Sequence, residues 1–231
     1  MLDVSRIELK YQIDTLDISQ LKRNLREVMQ LDPNSGLDGY TVRSVYFDTI
    51  SDRDYYDKVD GLENRQKIRL RSYGEGSQIK LELKEKINKN QRKRSLVVSN
   101  EMSKRLLDGQ YTDLLDMSNP FADEMYVKLT TEIYRPKCLV VYERYAFAYA
   151  ANDVRVTIDS HLRASESHLD LFGMDGFLYP VQERGRATLE VKYSHFLPQP
   201  IRDVISLTEP LMLSNSKYCR ARMIGKRGIQ L

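Results

Sequence analysis

Tryptophan is absent from this sequence. With 15 Tyr, 6 Phe and a formal charge of only +3, it lacks the strongly basic, aromatic-studded surface that nucleic-acid binding calls for. Cysteine is scarce too. Cys138 and Cys219 show no CxxC spacing, which excludes a disulfide framework or a zinc site, and both read as small packing residues in an apolar strand and a helix. His161, His168 and His195 stand in no catalytic spacing, and there is no GxSxG, no P-loop and no Cys–His motif, so covalent nucleophilic catalysis has no candidate. No apolar run approaches the roughly 20 residues of a membrane helix. The opening MLDVSRIELK has no signal-peptide core, and the expected location is cytoplasmic.

What is present is two-residue alternation, the period of a strand with unlike faces. It predicts strands over 6–13, 40–48, 66–73, 78–86, 92–99, 138–148, 154–163 and 187–195. The turns are Gly74-Glu75-Gly76-Ser77 and Asn88-Lys89-Asn90. A helix with Asp17 as its cap is expected from Ile18 to Met29, covering an opening of the sheet or barrel. Ser51 to Tyr56 reads as a turn or short helix, and Pro198 and Pro200 punctuate another. A last helix is expected from Lys217 to Ile224 behind the cap Ser214-Asn215-Ser216. With no linker or repeat, the expectation is one domain over 1–231, with a helical insertion at about 100–135.

The near-neutral total conceals an arrangement. Lys67, Arg69 and Arg71 alternate with Ile68 and Leu70, and Lys80, Glu82, Lys84 and Lys86 with Ile79, Leu81 and Leu83. Arg144 stands among Val140, Tyr142 and Ala146. Arg155 and Asp159 alternate with Val154, Val156 and Ile158, and Glu190 and Lys192 with Leu189, Val191 and Tyr193. One such strand usually means a solvated outer face. Recurrence of Arg and Lys at strand centres instead predicts a basic lumen if eight strands close, with linked phosphates as the occupant. The minority carboxylates then read as ligands for Mg²⁺ or Mn²⁺: Glu190 first, Glu8 and Glu82 after it. Glu8 and Glu82 read equally as ion-pair partners of neighbouring bases.

Taken in order, Arg6-Ile7-Glu8-Leu9-Lys10-Tyr11, Tyr46-Phe47-Asp48-Thr49, Arg69-Leu70-Arg71, Glu82-Leu83-Lys84, Arg144-Tyr145-Ala146-Phe147, Leu189-Glu190-Val191-Lys192 and Ser216-Lys217 resemble the VTC (vacuolar transporter chaperone) domain, a branch of the triphosphate-tunnel (CYTH-like) superfamily. The resemblance implies an α+β fold: a closed eight-stranded antiparallel β-barrel with helices outside and at the tunnel mouth. It implies phosphate-binding roles for Lys10, Arg69, Arg71, Lys84 and Arg144, a metal-binding role for Glu190, and a tunnel-mouth role for Lys217 beside Ser216. Lys192 and Arg94 carry over as further phosphate contacts. Where the family pattern has an arginine, this sequence has Thr157, which leaves Arg155 as the nearest base.

The implied activity is a polyphosphate polymerase moving the γ-phosphate of ATP onto a polyphosphate chain with Mn²⁺ or Mg²⁺. A metal-dependent triphosphatase and a non-catalytic polyphosphate sensor are the alternatives. Hydrolytic relatives carry Glu-x-Glu-x-Lys near the N-terminus, and here the first Glu is Arg6, which favours grip on phosphate over activation of water. ATP and polyphosphate are the expected partners. A membrane-protein partner and the oligomeric state stay open.

Overall fold

The computed structural model describes every residue except 1–5, 34, 37, 75–77, 89, 174–176, 214–215 and 228–231. Parts of both predicted hairpin turns, and Ser214 and Asn215 of the predicted cap, therefore lie outside the described residues, as does the side chain of Arg6. The strands are β1 (Arg6–Asp14), β2 (Gln30–Leu31), β3 (Tyr40–Asp48), β4 (Arg65–Tyr73), β5 (Ile79–Ile87), β6 (Asn90–Val98), β7 (Arg135–Tyr149), β8 (Val154–Ser165), β9 (Tyr179–Pro180), β10 (Arg186–Ser194) and β11 (Leu211–Met212). The helices are α1 (Ile18–Val28), α2 (Arg53–Val59), α3 (Asn100–Leu107), α4 (Pro120–Thr131), α5 (Gln199–Ser206) and α6 (Lys217–Arg227).

The fold is antiparallel and β-rich with accompanying helices, and it corrects the expectation of a closed eight-stranded barrel. The sheet has 11 strands, and its hydrogen-bonded path ends at β11 and β6, with no pairing between those ends among the described residues. Eight of the strands are the long ones predicted; β2, β9 and β11 have two residues each. There is a physical reason for the open path. The outer edge of β1 is taken at Tyr11 and Gln12 by β11, and β6 carries Arg92, Lys93 and Arg94, charges that blunt an edge against further pairing.

The chain forms two compact units, each assembled from three stretches of sequence. The first comprises 1–41, 142–162 and 182–216; the second comprises 42–141, 163–181 and 217–231. In the first, the strand order is β11-β1-β10-β8-β7, with β2 on β7. Alternation sends Ile13, Val154, Val156, Ile158, Ala187, Leu189 and Val191 to one face, where Leu21 and Leu25 of α1 and Ile201 and Ile205 of α5 cover them. Helix α1 thus packs on the apolar face instead of capping an opening. Leu21 and Leu25 are fully buried, and each contributes about 2 kcal/mol. The chain enters α1 through a short 3₁₀ turn at Thr15–Asp17, where the Asp14 side chain accepts the Leu16 N–H. Asp17 precedes α1 but makes no side-chain cap bond.

In the second unit the order is β7-β3-β4-β5-β6, with β9 on the far part of β8. The core gathers Val45, Phe47, Ile68, Leu70, Leu81 and Leu83 with Met102 and Leu106 of α3 and Met125 and Leu129 of α4. The predicted helical excursion is therefore α3, a 3₁₀ turn at Thr112–Met117 and α4, and it covers this sheet's apolar face. Ser99 caps α3 by accepting from Met102 N–H, and Asn119 caps α4, which begins on Pro120. Cys138 is buried on β7, Cys219 is half-buried on α6, and the two are not bridged.

Candidate functional site: two polar sheet faces

Antiparallel register decides which charges meet. In the second unit, Arg69 stands opposite Tyr46 on one side and Glu82 on the other, Lys67 opposite Lys84, and Lys84 in turn opposite Lys93. Arg71 lies opposite Lys80, and Arg65 opposite Lys86. All these side chains share one face, and Glu82 is its only carboxylate among the described residues of β4–β6. Like charges directly across a ladder repel, and three lysines stand in one row, Lys67–Lys84–Lys93.

Glu82 is the anchor of this face and is 1% exposed. Its Oε2 takes Arg69 Nε at 2.7 Å and has Arg71 Nε at 3.6 Å, while Oε1 lies 2.5 Å from Lys93 Nζ. Burial pushes the Glu82 carboxyl upward, but Arg69 and Lys93 outweigh it and hold the group below the usual range. With both oxygens engaged by cations, Glu82 has the chemistry of an ion-pair anchor, one of the two readings its sequence position allowed.

Two tyrosines set the arginines. Arg69 Nη1 donates to the Tyr46 hydroxyl at 3.0 Å, and Arg71 Nη1 to that of Tyr73 at 2.7 Å. Tyr46 in turn stacks on Tyr218 of α6, ring centroids 5.1 Å apart. The Tyr218 hydroxyl donates to Asp48 at 2.5 Å, and the same carboxylate accepts the N–H groups of Thr49, Asp54 and Tyr55 at the start of α2. One buried aspartate therefore ties β3 to both α2 and α6. Lys217 opens α6 half-buried, and Ser216 before it is buried.

Arg94 is not on this face. It pairs with Leu83 and shares parity with Leu96 and Val98, so it emerges on the apolar side. There it donates to Glu124 of α4 and to Glu85 at 3.1 Å, and lies 4.8 Å from the Phe121 ring centroid. The structure puts this predicted phosphate contact in the seam between sheet and helix.

The polar face of the first unit is mixed in sign. Glu8 lies opposite Lys192 and Lys10 opposite Glu190; Glu190 also faces Thr157, and Lys192 faces Arg155. Lys10 reaches Glu8 at 2.9 Å and Glu190 at 3.6 Å, while Lys192 reaches Glu190 at 3.3 Å and Glu8 at 3.8 Å. The four charges form a closed ring of ion pairs. Beside it Arg144, 8% exposed, forks onto Asp159 at 2.6 and 2.7 Å and reaches Glu190 at 3.5 Å. Burial works against the Arg144 charge, but Asp159 and Glu190 prevail and keep it firmly protonated.

Gly39 lets this arrangement form. At φ +78°, a Cβ there would lie 2.6 Å from the Arg144 carbonyl oxygen. Arg155 pairs with Asp32 at 2.9 Å and the Tyr40 hydroxyl at 3.3 Å. Thr157, where the family pattern has an arginine, is buried, and its hydroxyl has no hydrogen-bond partner. The backbone of Arg6 pairs with Ser194.

Of the three predicted metal ligands, Glu8 and Glu190 share the first unit's face, and Glu82 belongs to the second unit. No group of three His, Cys, Asp or Glu side chains is gathered for a metal among the described residues. Glu8 and Glu190 are hard oxygen donors on neighbouring strands and fit Mg²⁺ or Mn²⁺ as a two-carboxylate set, completed in such sites by phosphate oxygens. Sequence reading missed Tyr46, Tyr73 and Lys93 as parts of the basic face and Asp159 as the partner of Arg144. Parity within a strand could have placed Lys93, Asp159 and Tyr73; Tyr46, on β3, needed the register between strands.

Sheet order and helix placement define an antiparallel, β-rich α+β protein. A candidate adenylyl cyclase from Hippeastrum with a dominant triphosphatase activity superposes with a TM-score of 0.54 at 14% identity, covering 94% of this chain and 95% of that one. A candidate adenylate cyclase from Bacillus halodurans gives 0.47 at 12% identity, covering 92% and 95%. No curated protein matched the sequence. The VTC domain model matches residues 5–224, across both units, and the chain belongs to the VTC domain family. No helix among the described residues is long and apolar enough to cross a membrane, which says nothing of a β-barrel.

Proposed function

We propose that this chain is a polyphosphate polymerase that transfers the γ-phosphoryl group of ATP to the end of a growing polyphosphate chain. The observation that carries the reading is the like-charged face of β4–β6 in a VTC family chain: Lys67, Lys84 and Lys93 in one row, Arg69 and Arg71 beside them, and Glu82 as the only carboxylate among the described residues of these strands. A repeating polyanion relieves that repulsion at every step along its length, and needs no base or sugar to be read.

In the proposed reaction, a terminal oxygen of polyphosphate attacks the γ-phosphorus of ATP in line. The bond from that phosphorus to the β–γ bridging oxygen breaks, and ADP leaves. The acceptor is already ionised, so no general base is needed. Arg69 and Arg71, oriented by Tyr46 and Tyr73, hold equatorial oxygens, and Lys67, Lys84 and Lys93 neutralise the flanking phosphates. On the first unit's own face, Arg144 is fixed by Asp159, and Lys10 and Lys192 offer N–H donors to phosphate oxygens. A divalent ion, Mg²⁺ or Mn²⁺, held by Glu8 and Glu190 would supply charge neutralisation at phosphate oxygens.

Hydrolysis of a triphosphate is the second reading, favoured by the dominant triphosphatase activity of the Hippeastrum neighbour. Incubation of pure protein with ATP and Mn²⁺, followed by gel separation, decides between them. A ladder of long polyphosphate is expected; free phosphate alone assigns a triphosphatase, and no turnover assigns a polyphosphate-binding protein.

A further inference from the structure

The two polar faces differ in a way that predicts how ligands enter. On β4–β6 cations outnumber carboxylates, so an anion gains by binding alone. On β1 and β10 the ring Glu8–Lys10–Glu190–Lys192 is already neutral, each carboxylate touched by both ammonium groups. The ring is also asymmetric in depth. The Lys10 and Lys192 side chains are 30% and 31% exposed, whereas Glu8 and Glu190 are 14% and 8% exposed. A cation arriving from solvent meets ammonium groups before it meets carboxylate. Arg144, 3.5 Å from Glu190, adds a third positive charge that does not leave, because Asp159 holds it.

We infer that Lys10 and Lys192 act as internal counter-ions that lock Glu8 and Glu190, so that this face takes a divalent cation and a phosphate chain together and neither one strongly alone. A divalent cation can reach the carboxylates only if the ammonium groups swing away, and these are strongly hydrated donors that need a new acceptor. Phosphate oxygens provide one. The exchange keeps every charge compensated: the four lysine–carboxylate contacts give way to lysine–phosphate and metal–carboxylate contacts. This deepens the proposed reading, since it rests on Glu8 and Glu190 as the metal-binding pair, and it makes the ring a check against futile metal loading.

The test uses binding alone, without turnover. In anion-free buffer, titration of Mn²⁺ followed by electron paramagnetic resonance should show weak binding to the wild type, and binding at least about tenfold tighter to Lys10→Met/Lys192→Met, because two like charges are removed at contact distance. In the presence of a chelator, calorimetric titration with tripolyphosphate should be tighter for Glu8→Gln/Glu190→Gln than for the wild type, because the lysines are released. Circular dichroism checks the sheet in each variant, and Lys192→Met or Glu8→Gln alone replaces a double variant that fails to fold. Wild-type Mn²⁺ affinity equal to that of the lysine variants overturns the lock, as does unchanged tripolyphosphate affinity on loss of the carboxylates. Because ATP is absent, the lock can hold while the polymerase reading fails, or fail while polyphosphate is still made.

Discussion

Arg144 and Asp159 form a two-pronged ion pair, with Nε 2.6 Å and Nη2 2.7 Å from the two carboxylate oxygens, both side chains almost wholly out of water. Removing one partner leaves the other charge buried and unpaired, whereas removing both does not. Asp159→Ala is therefore expected to cost about 3–5 kcal/mol, and Arg144→Met/Asp159→Leu considerably less. Urea unfolding followed by circular dichroism measures both. Equal losses in the single and double variants would contradict the pair.

Glu82 holds Arg69 and Lys93 while they repel one another, and its carboxyl titrates below the usual range. A depressed folded-state pKa means that its stabilisation is complete above the ordinary glutamate pKa and is lost as pH falls through the lower, folded value. Glu82→Gln is expected to lower the melting temperature at pH 7 and to flatten the acid limb of the stability profile. Tripolyphosphate should raise the melting temperature of this variant more than that of the wild type, since it replaces the missing negative charge.

Asp54 behaves in the opposite sense. Burial first, then the neighbouring Asp48, raise its pKa to about 7, against the opposing effects of the Tyr134 hydroxyl and Arg53, with Asp57 adding to the rise. The folded state thus favours the protonated acid. Stability from this group is present below the unfolded pKa near 3.8 and is lost as pH rises toward about 7. Asp54→Asn should remove that decline between pH 4 and 7. A profile parallel to that of the wild type would show that Asp54 is ionised in the folded protein.

Lys84 faces Lys67 and Lys93, so its loss removes one of three like charges in the row. Lys84→Ala is expected to change stability by less than about 1 kcal/mol. The same change should weaken tripolyphosphate binding by about tenfold, through loss of a charge-assisted contact. Thermal unfolding and calorimetry on the same sample separate the two effects.

Arg94→Ala should do the reverse. Its partners are Glu124 and Glu85 on the apolar side of the sheet, so its loss should lower stability by about 1–2 kcal/mol while tripolyphosphate affinity stays at the wild-type value. A fall in affinity without a fall in stability would return Arg94 to the phosphate face.

Long alternating strands were legible from sequence because each carries its own period: Ile68 and Leu70 against Arg69 and Arg71 need no partner to be read. The two-residue strands β2, β9 and β11 were not, since two residues cannot display a period. For the same reason the open ends of the sheet could not be seen, being a property of pairing and not of any strand. Within the candidate site, side-chain type was legible and partnership was not. Glu8, Glu82 and Glu190 look alike in sequence, yet register gives Glu82 three cations and joins Glu8 to Glu190 through two lysines. Arg94 shares parity with Leu96 and Val98, so its side of the strand was legible in the sequence, while its partners Glu85 and Glu124 were not.

The pairing of β1 with β10, Arg6 opposite Ser194, has a consequence for biosynthesis. Strand β1 is synthesised well before β10 and stays without its principal partner until the residues between them have been made. High sequence separation of this kind slows folding and leaves an unpaired edge exposed to other chains. Because each unit draws on three separate stretches, neither is one continuous segment that could fold as it is made. A nascent chain of this protein is therefore expected to depend on chaperone shielding until the residues beyond 190 emerge.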